Sequence, residues 1–227
     1  MANASIAGFG CRQTMTVGNT PATGGQSEFL VQGGAAPGAT VAIFKGSPVG
    51  MQTAAGGAGT LGFIMDQSAA TMTDGVTGGA TWTLAGGTNP SLGVFNGATF
   101  VDATGKPTWT NGLAAAQTSA IDYNTGSNNI TAFVNTNPHQ EYTARADAAV
   151  GIASFNTLTN TGYNLNDAGA GVDGQSDCTL DIANTTGTAN YMWKLVRSAN
   201  VTNQNDLTAA GADIIISYNP QANAYLA

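Results

Sequence analysis

The 227 residues allow one large β domain or two smaller domains, with a core of useful size in either case. Only 8% of the residues are charged, the net charge is −7, and the six cations are scattered without a basic run, which excludes nucleic-acid binding through phosphate neutralisation. More than half of all positions are Ala, Gly, Thr or Asn, so the surface must be covered by hydroxyls, amides and backbone, and the charge is too low for a disordered chain.

Taken in chain order, residues 1–25 are polar and Gly-rich, with Ile6, Phe9, Met15 and Val17 as spaced apolar anchors. They read as an extended N-terminal arm that orders on a neighbour, so that losing residues 1–20 weakens association more than it unfolds the body. Residues 26–227 read as a single all-β domain, a β-barrel or jelly-roll-like β-sandwich with long Gly/Thr/Asn-rich loops. Its strand signals are short runs of β-branched and aromatic residues bounded by Gly, Asn, Asp or Pro. They are SEFLVQ (27–32), TVAIFKGSPV (40–49), TLGFIMD (60–66), ATWTLAG (80–86), LGVFNGATFVD (92–102), NITAFVNT (129–136), EYTARAD (141–147), CTLDIAN (178–184), YMWKLVRSANV (191–201) and DIIISYN (213–219). Two Ala-rich runs, 112–121 and 145–155, carry helix propensity and are the two candidate short helices. Gly-rich pieces at 33–39, 54–60 and 166–177 read as long loops. Within PSLGVFNGATFVDATGKPTW (90–109), a strand irregular at Gly97 leads into a tight turn from Asp102 to Pro107, and Trp109 opens the return strand.

Chemistry-bearing constellations are missing from the sequence. His139 is the single histidine and follows Pro138 in a turn signal, with no G-x-S-x-G elbow to serve as its nucleophile. One His and two remote Cys make a poor zinc set. Asp167, Asp173 and Asp177 occupy a Gly-rich loop without the spacing or terminal Glu of a calcium loop. The acids, Glu28 and Glu141 among them, cannot be paired in space from sequence, and no Gly-rich piece matches a phosphate loop. The expectation is no enzyme: no catalytic residue, no cofactor and no metal. Cys11 and Cys178 are expected as free thiols. The sequons at Asn3, Asn129, Asn184 and Asn200 are what a Thr- and Asn-rich chain produces by chance. No window approaches about 18 unbroken apolar residues, so no membrane-spanning helix is expected, and the chain lacks a secretory leader pattern.

Three pieces, VAIFKGSPV (41–49), LGVFNGATFVDATGKPTW (92–109) and ITAFVNTNPHQEYTARADAAV (130–150), occur in an order that resembles tailed-bacteriophage capsid decoration, or cement, proteins. The resemblance extends over residues 25–150, with a weaker echo at ADIIISYNPQ near the C-terminus. Asn135 and Asn137 stand near positions where that family often carries Asp, which weakens any cation-binding role for the turn. The resemblance implies a structural virion protein, mostly β, bound to the major capsid protein on the capsid exterior, commonly as a homotrimer, and assembled in a host cytoplasm. It implies no nucleic-acid or membrane partner. Candidate subunit or capsid contacts are Phe9, Arg12 and Met15 in the arm and Trp109 in the body. Two other roles fit the composition. One is a tail or fibre-associated β protein of a virion. The other is a carbohydrate-binding surface module using Trp82 and Trp109, although Trp82, Trp109 and Trp193 more often serve as core or interface anchors.

Overall fold

The computed structural model describes residues 3, 7–17, 20–21, 25–31, 43–51, 63–66, 91–102, 104–113, 130–151, 155, 163–166, 173–182, 193–199 and 205–218. Fifteen strands run through them: β1 (Arg12–Thr16), β2 (Thr20–Pro21), β3 (Gln26–Val31), β4 (Ile43–Phe44), β5 (Pro48–Met51), β6 (Phe63–Asp66), β7 (Ser91–Val101), β8 (Pro107–Thr110), β9 (Gly112–Leu113), β10 (Thr131–Asn135), β11 (Gln140–Arg145), β12 (Asn164–Asn166), β13 (Thr179–Asp181), β14 (Trp193–Ser198) and β15 (Asp213–Tyr218). The fold is all-β, built from curled, mainly antiparallel sheets.

Five strands pair in a closed circuit: β3 with β10, β10 with β7, β7 with β5, β5 with β6, and β6 back to β3. A ring with an odd number of strands cannot alternate direction all the way round. One junction must be parallel, and it is β3–β6, with Leu30 and Val31 in register with Phe63 and Ile64. One hydrophobic cluster fills the ring with Val31, Val49, Leu92, Phe95, Ala98, Ala132 and Val134, none more than 1% exposed. β8 extends the sheet from β7.

β7 serves β5, β8 and β10 at once because it is irregular. Opposite β10 its register slips between Phe95 and Gly97, leaving Asn96 as the extra residue, with φ +143° at Gly97. Such a bulge lets Phe95 and Ala98 share the inner side despite their odd spacing. The irregularity expected at Gly97 is therefore the device that turns Phe95 into the core.

The second sheet runs β14-β15-β11-β1-β2. Its buried face follows the period of two, with Tyr142 and Ala144 on β11, Ile214, Ile216 and Tyr218 on β15, and Trp193 on β14. Leu165 of β12 and Leu180 of β13 join that cluster from a small hairpin. Trp193 stacks on Tyr218 with centroids 4.6 Å apart, and Tyr142 meets both edge-on at 5.6 and 5.8 Å. Trp193 is thus a core anchor.

The N-terminal segment does not lie apart from the domain. β1 sits between β11 and β2, and Phe9 and Cys11, at 9% and 4% exposure, are packed inside. The run 40–49 is two strands rather than one, because Gly46 turns the backbone at φ +91°. That turn joins the two sheets: Gly46 N–H donates to Phe95 O at 2.9 Å, Phe95 N–H to Ser47 O at 2.9 Å, and Cys11 N–H to Gly46 O at 2.9 Å. The helix expected over 145–155 is replaced, through residue 151, by the end of β11, an isolated bridge at Ala146 and bends. Ala144 and Ala146 are fully buried in the sheet core, so tertiary packing overrides their helix propensity. At the start of the other Ala-rich run, Gly112 and Leu113 form β9 against β4; residues 114–121 lie outside the described residues, as do 80–86, 33–39 and 54–60.

Candidate functional site: an outward aromatic sheet face

The hairpin β7–β8 is fixed by its turn. Asp102 Oδ1 accepts from the Thr104 hydroxyl at 2.6 Å, the Thr104 amide at 2.9 Å and the Lys106 amide at 3.0 Å. Gly105 takes φ +82° and donates to Asp102 O at 2.9 Å. The hydrogen bond from the Thr104 hydroxyl, ahead of that from Lys106 N–H, holds the Asp102 carboxyl below the ordinary Asp range.

This turn sets the register, and the register sets which side chains face out. Thr99 pairs with Trp109, Val101 with Pro107, Thr131 with both Thr99 and Leu30, and Phe133 with both Gly97 and Glu28. Cross-strand partners share a face. The outer face of β8-β7-β10-β3 therefore carries Val101, Trp109, Phe133 and Leu30 among threonines, and the inner face carries Phe95, Ala98, Ala132 and Val134. Trp109 is 50% exposed, Val101 55% and Leu30 36%. The Trp109 ring packs against Phe133 with centroids 5.2 Å apart and a 35° tilt, and its indole N–H donates to Asn111 Oδ1 at 3.3 Å. It also lies against Gly97, where an added Cβ would overlap the ring atoms Cζ2 and Cε2. Backbone and Phe133 together hold half of the indole and present the other half to solvent. Thr99 and Thr131 separate Trp109 from Leu30 along this face, and the Trp109–Phe133 pair is its aromatic contact.

The four residues expected as contacts separate into two regions. Trp109 is on this face. Met15 is 42% exposed but belongs to β1 in the other sheet, paired with Pro21. Arg12 is exposed, with its guanidinium 4.2 Å from the centroid of the buried Phe9 ring, and the Arg145 guanidinium lies 4.7 Å from the same ring. Phe9 thus spends its surface inside the protein. Val101, Phe133 and Leu30 escaped the sequence reading, although a period of two counted outward from Trp109 through the hairpin reaches Val101. Trp82 lies outside the described residues.

The chemistry-bearing residues remain dispersed. His139 is exposed in the turn after β10, where Asn135 Oδ1 accepts from Asn137 N–H at 3.1 Å and Asn137 Oδ1 from His139 N–H at 3.0 Å. The two asparagines are turn-formers. Cys11 and Cys178 are buried thiols not joined in a disulfide, and burial first, the neighbouring Cys178 second, raises the Cys11 thiol well above its ordinary value. Among the described residues no three His, Cys, Asp or Glu side chains converge as a metal site. Glu141, buried on β11, is met by Arg197 Nη2 at 2.7 Å, and Asp213 by Arg145 Nε at 2.9 Å. No protein-family model, no curated protein and no solved structure matches this chain.

Proposed function

We propose that this chain is a structural virion protein that binds the outside of a tailed-phage capsid and cements the shell. Its partners would be the major capsid protein and, as a homotrimer, itself. One observation carries the reading: a half-exposed Trp109, backed by Gly97 and Phe133, sits on a sheet face that also exposes Val101 and Leu30. Exposed aromatic anchors surrounded by small polar residues are the usual centre of a protein interface. Here the anchor stands on paired strands, so little side-chain or backbone freedom is lost on docking. The choice of a capsid as docking partner is supported by the resemblance of the ordered pieces at 41–49, 92–109 and 130–150 to shell-decorating proteins; these pieces contribute to β4, β5, β7, β8, β10 and β11. Many copies on a symmetric lattice turn a modest single contact into durable coverage.

The test is co-sedimentation of the purified chain with expanded, undecorated capsids, followed by calorimetry of the particles. Saturable binding and a raised shell melting temperature are expected. Neither binding nor a shift in melting would end the proposal.

A second reading rests on Trp109 itself, since a flat, half-exposed indole is also a platform for a sugar ring. A glycan array would then show saturable binding that Trp109→Ala removes. An array without such binding leaves the shell reading alone.

A further inference from the structure

One cleft lies apart from the aromatic face on which the shell reading rests, although Phe9 and Arg12 in its lining are among the expected contacts. The chain holds thirteen acids and six cations, so its cations have ample carboxylates to pair with. Arg145 and Arg197 do so, with Asp213 at 2.9 Å and Glu141 at 2.7 Å. Arg12 and Lys45 do not: among the described residues neither has a carboxylate within ion-pair distance. Both border the same cleft, of about 320 Å³, between the strand ring and the five-stranded sheet. Among the described residues no Asp or Glu lines it.

The wall of the cleft also holds a buried donor without a partner. Asn135 is 3% exposed and lines the wall. Its Oδ1 is taken by the Asn137 amide at 3.1 Å, while its Nδ2 has no hydrogen-bond partner. Buried side-chain donors in native proteins are nearly always satisfied, so an unpartnered one in the wall of a cleft calls for an acceptor. Gln175 links the two cations. Its side-chain oxygen accepts from Arg12 Nη2 at 3.4 Å, and its backbone bridges to Lys45. At that length the Arg12 contact is weak, and most of the guanidinium fork remains available. Phe9, Cys11, Val94 and Tyr142 contribute the apolar part of the lining.

We propose that this cleft binds a small organic carboxylate, with the Asn135 amide N–H and the Arg12 and Lys45 cations as its donors and the apolar lining against its carbon skeleton. A planar guanidinium and an amide N–H suit the two oxygens of a carboxylate. The volume far exceeds what one water molecule needs. The inference does not rest on the shell reading, and either can fail without the other.

The test is calorimetric titration of the full chain with succinate and with citrate. Inorganic phosphate and an acidic hexapeptide serve as the other arms. Saturable binding of at least one of the two acids is expected, weakened about tenfold or more by Lys45→Glu. Lys45 is exposed, so that variant folds, and its melting curve checks this. Asn135→Asp keeps the oxygen that the Asn137 amide needs and replaces the unpartnered donor with a negative charge, so it should abolish binding. Four results would overturn the proposal: no saturable heat with either acid, equal binding of phosphate, binding of the peptide alone, or unchanged affinity in Lys45→Glu.

Discussion

Phe95 and Trp109 stand on the two strands of one hairpin and face opposite ways. Phe95 is completely buried inside the strand ring, so Phe95→Ala should cost about 3–5 kcal/mol, read as a lowered urea midpoint at unchanged slope. A loss below about 1 kcal/mol would mean that the ring collapses around the gap or is never tightly filled. The Asp102 turn makes a different demand, on pH. Its carboxyl has a folded-state pKa below the unfolded value, chiefly through the Thr104 hydroxyl and then the Lys106 amide. A depressed pKa contributes stability above the unfolded value, near pH 3.9, and that contribution is lost as pH falls through the folded value. Asp206, held down in the same direction first by the Thr208 hydroxyl, adds to the same acid limb. The wild-type urea midpoint should therefore fall more steeply below pH 4 or so than that of Asp102→Asn. Parallel curves would show that the turn geometry, and not the carboxylate charge, fixes the hairpin. The turn itself was legible from Asp102, Gly105 and Pro107. The outward aim of Trp109 was not, because it depends on a one-residue slip opposite Phe133, and a slip of one residue exchanges the faces.

At the level of elements, strands with β-branched or aromatic residues between Gly, Asn and Asp were legible: β3, β6, β7, β10, β11, β13, β14 and β15 all fall on such runs. β1 was not. RQTMT has neither a continuous apolar run nor a turn pair beside it, and it is a strand because β11 offers it an edge more than a hundred residues later. Phe9 and Cys11 then continue the chain into the interior. The energetic consequence reverses the expectation for an arm. Removing residues 1–20 takes away β1 and the first residue of β2, uncovers the edge of β11 and empties the places of Phe9 and Cys11. The truncated chain should lose its cooperative thermal transition, or melt far below the full chain, and not merely bind its partners less well. A truncated chain that melts with the full-length protein would show that β1 is an accessory strand. The parallel β3–β6 junction was equally invisible, since it follows only once the whole ring is known and its parity is counted.

At the scale of the whole molecule, two features would compete to carry the shell docking proposed above. The chain carries a net charge of −7, which favours docking onto a basic surface. The aromatic face is different: Trp109, Phe133, Val101, Leu30 and threonines form it, and Glu28 is the one charge that the strand register places on it. The two mechanisms respond differently to salt. Screening shortens the reach of charge from about 10 Å at 0.1 M to about 3 Å at 1 M, while apolar burial is not weakened by that change. If the face carries the docking, capsid co-sedimentation should be the same at both salt concentrations. Trp109→Ala should reduce occupancy at both, while leaving the chain's own melting nearly unchanged because the indole is half exposed. Multivalent display sharpens the result, since a small loss per contact is multiplied over the sites engaged together. Release of the wild-type protein at high salt, with Trp109→Ala binding normally at low salt, would assign the docking to the acidic exterior and leave the aromatic face for another ligand.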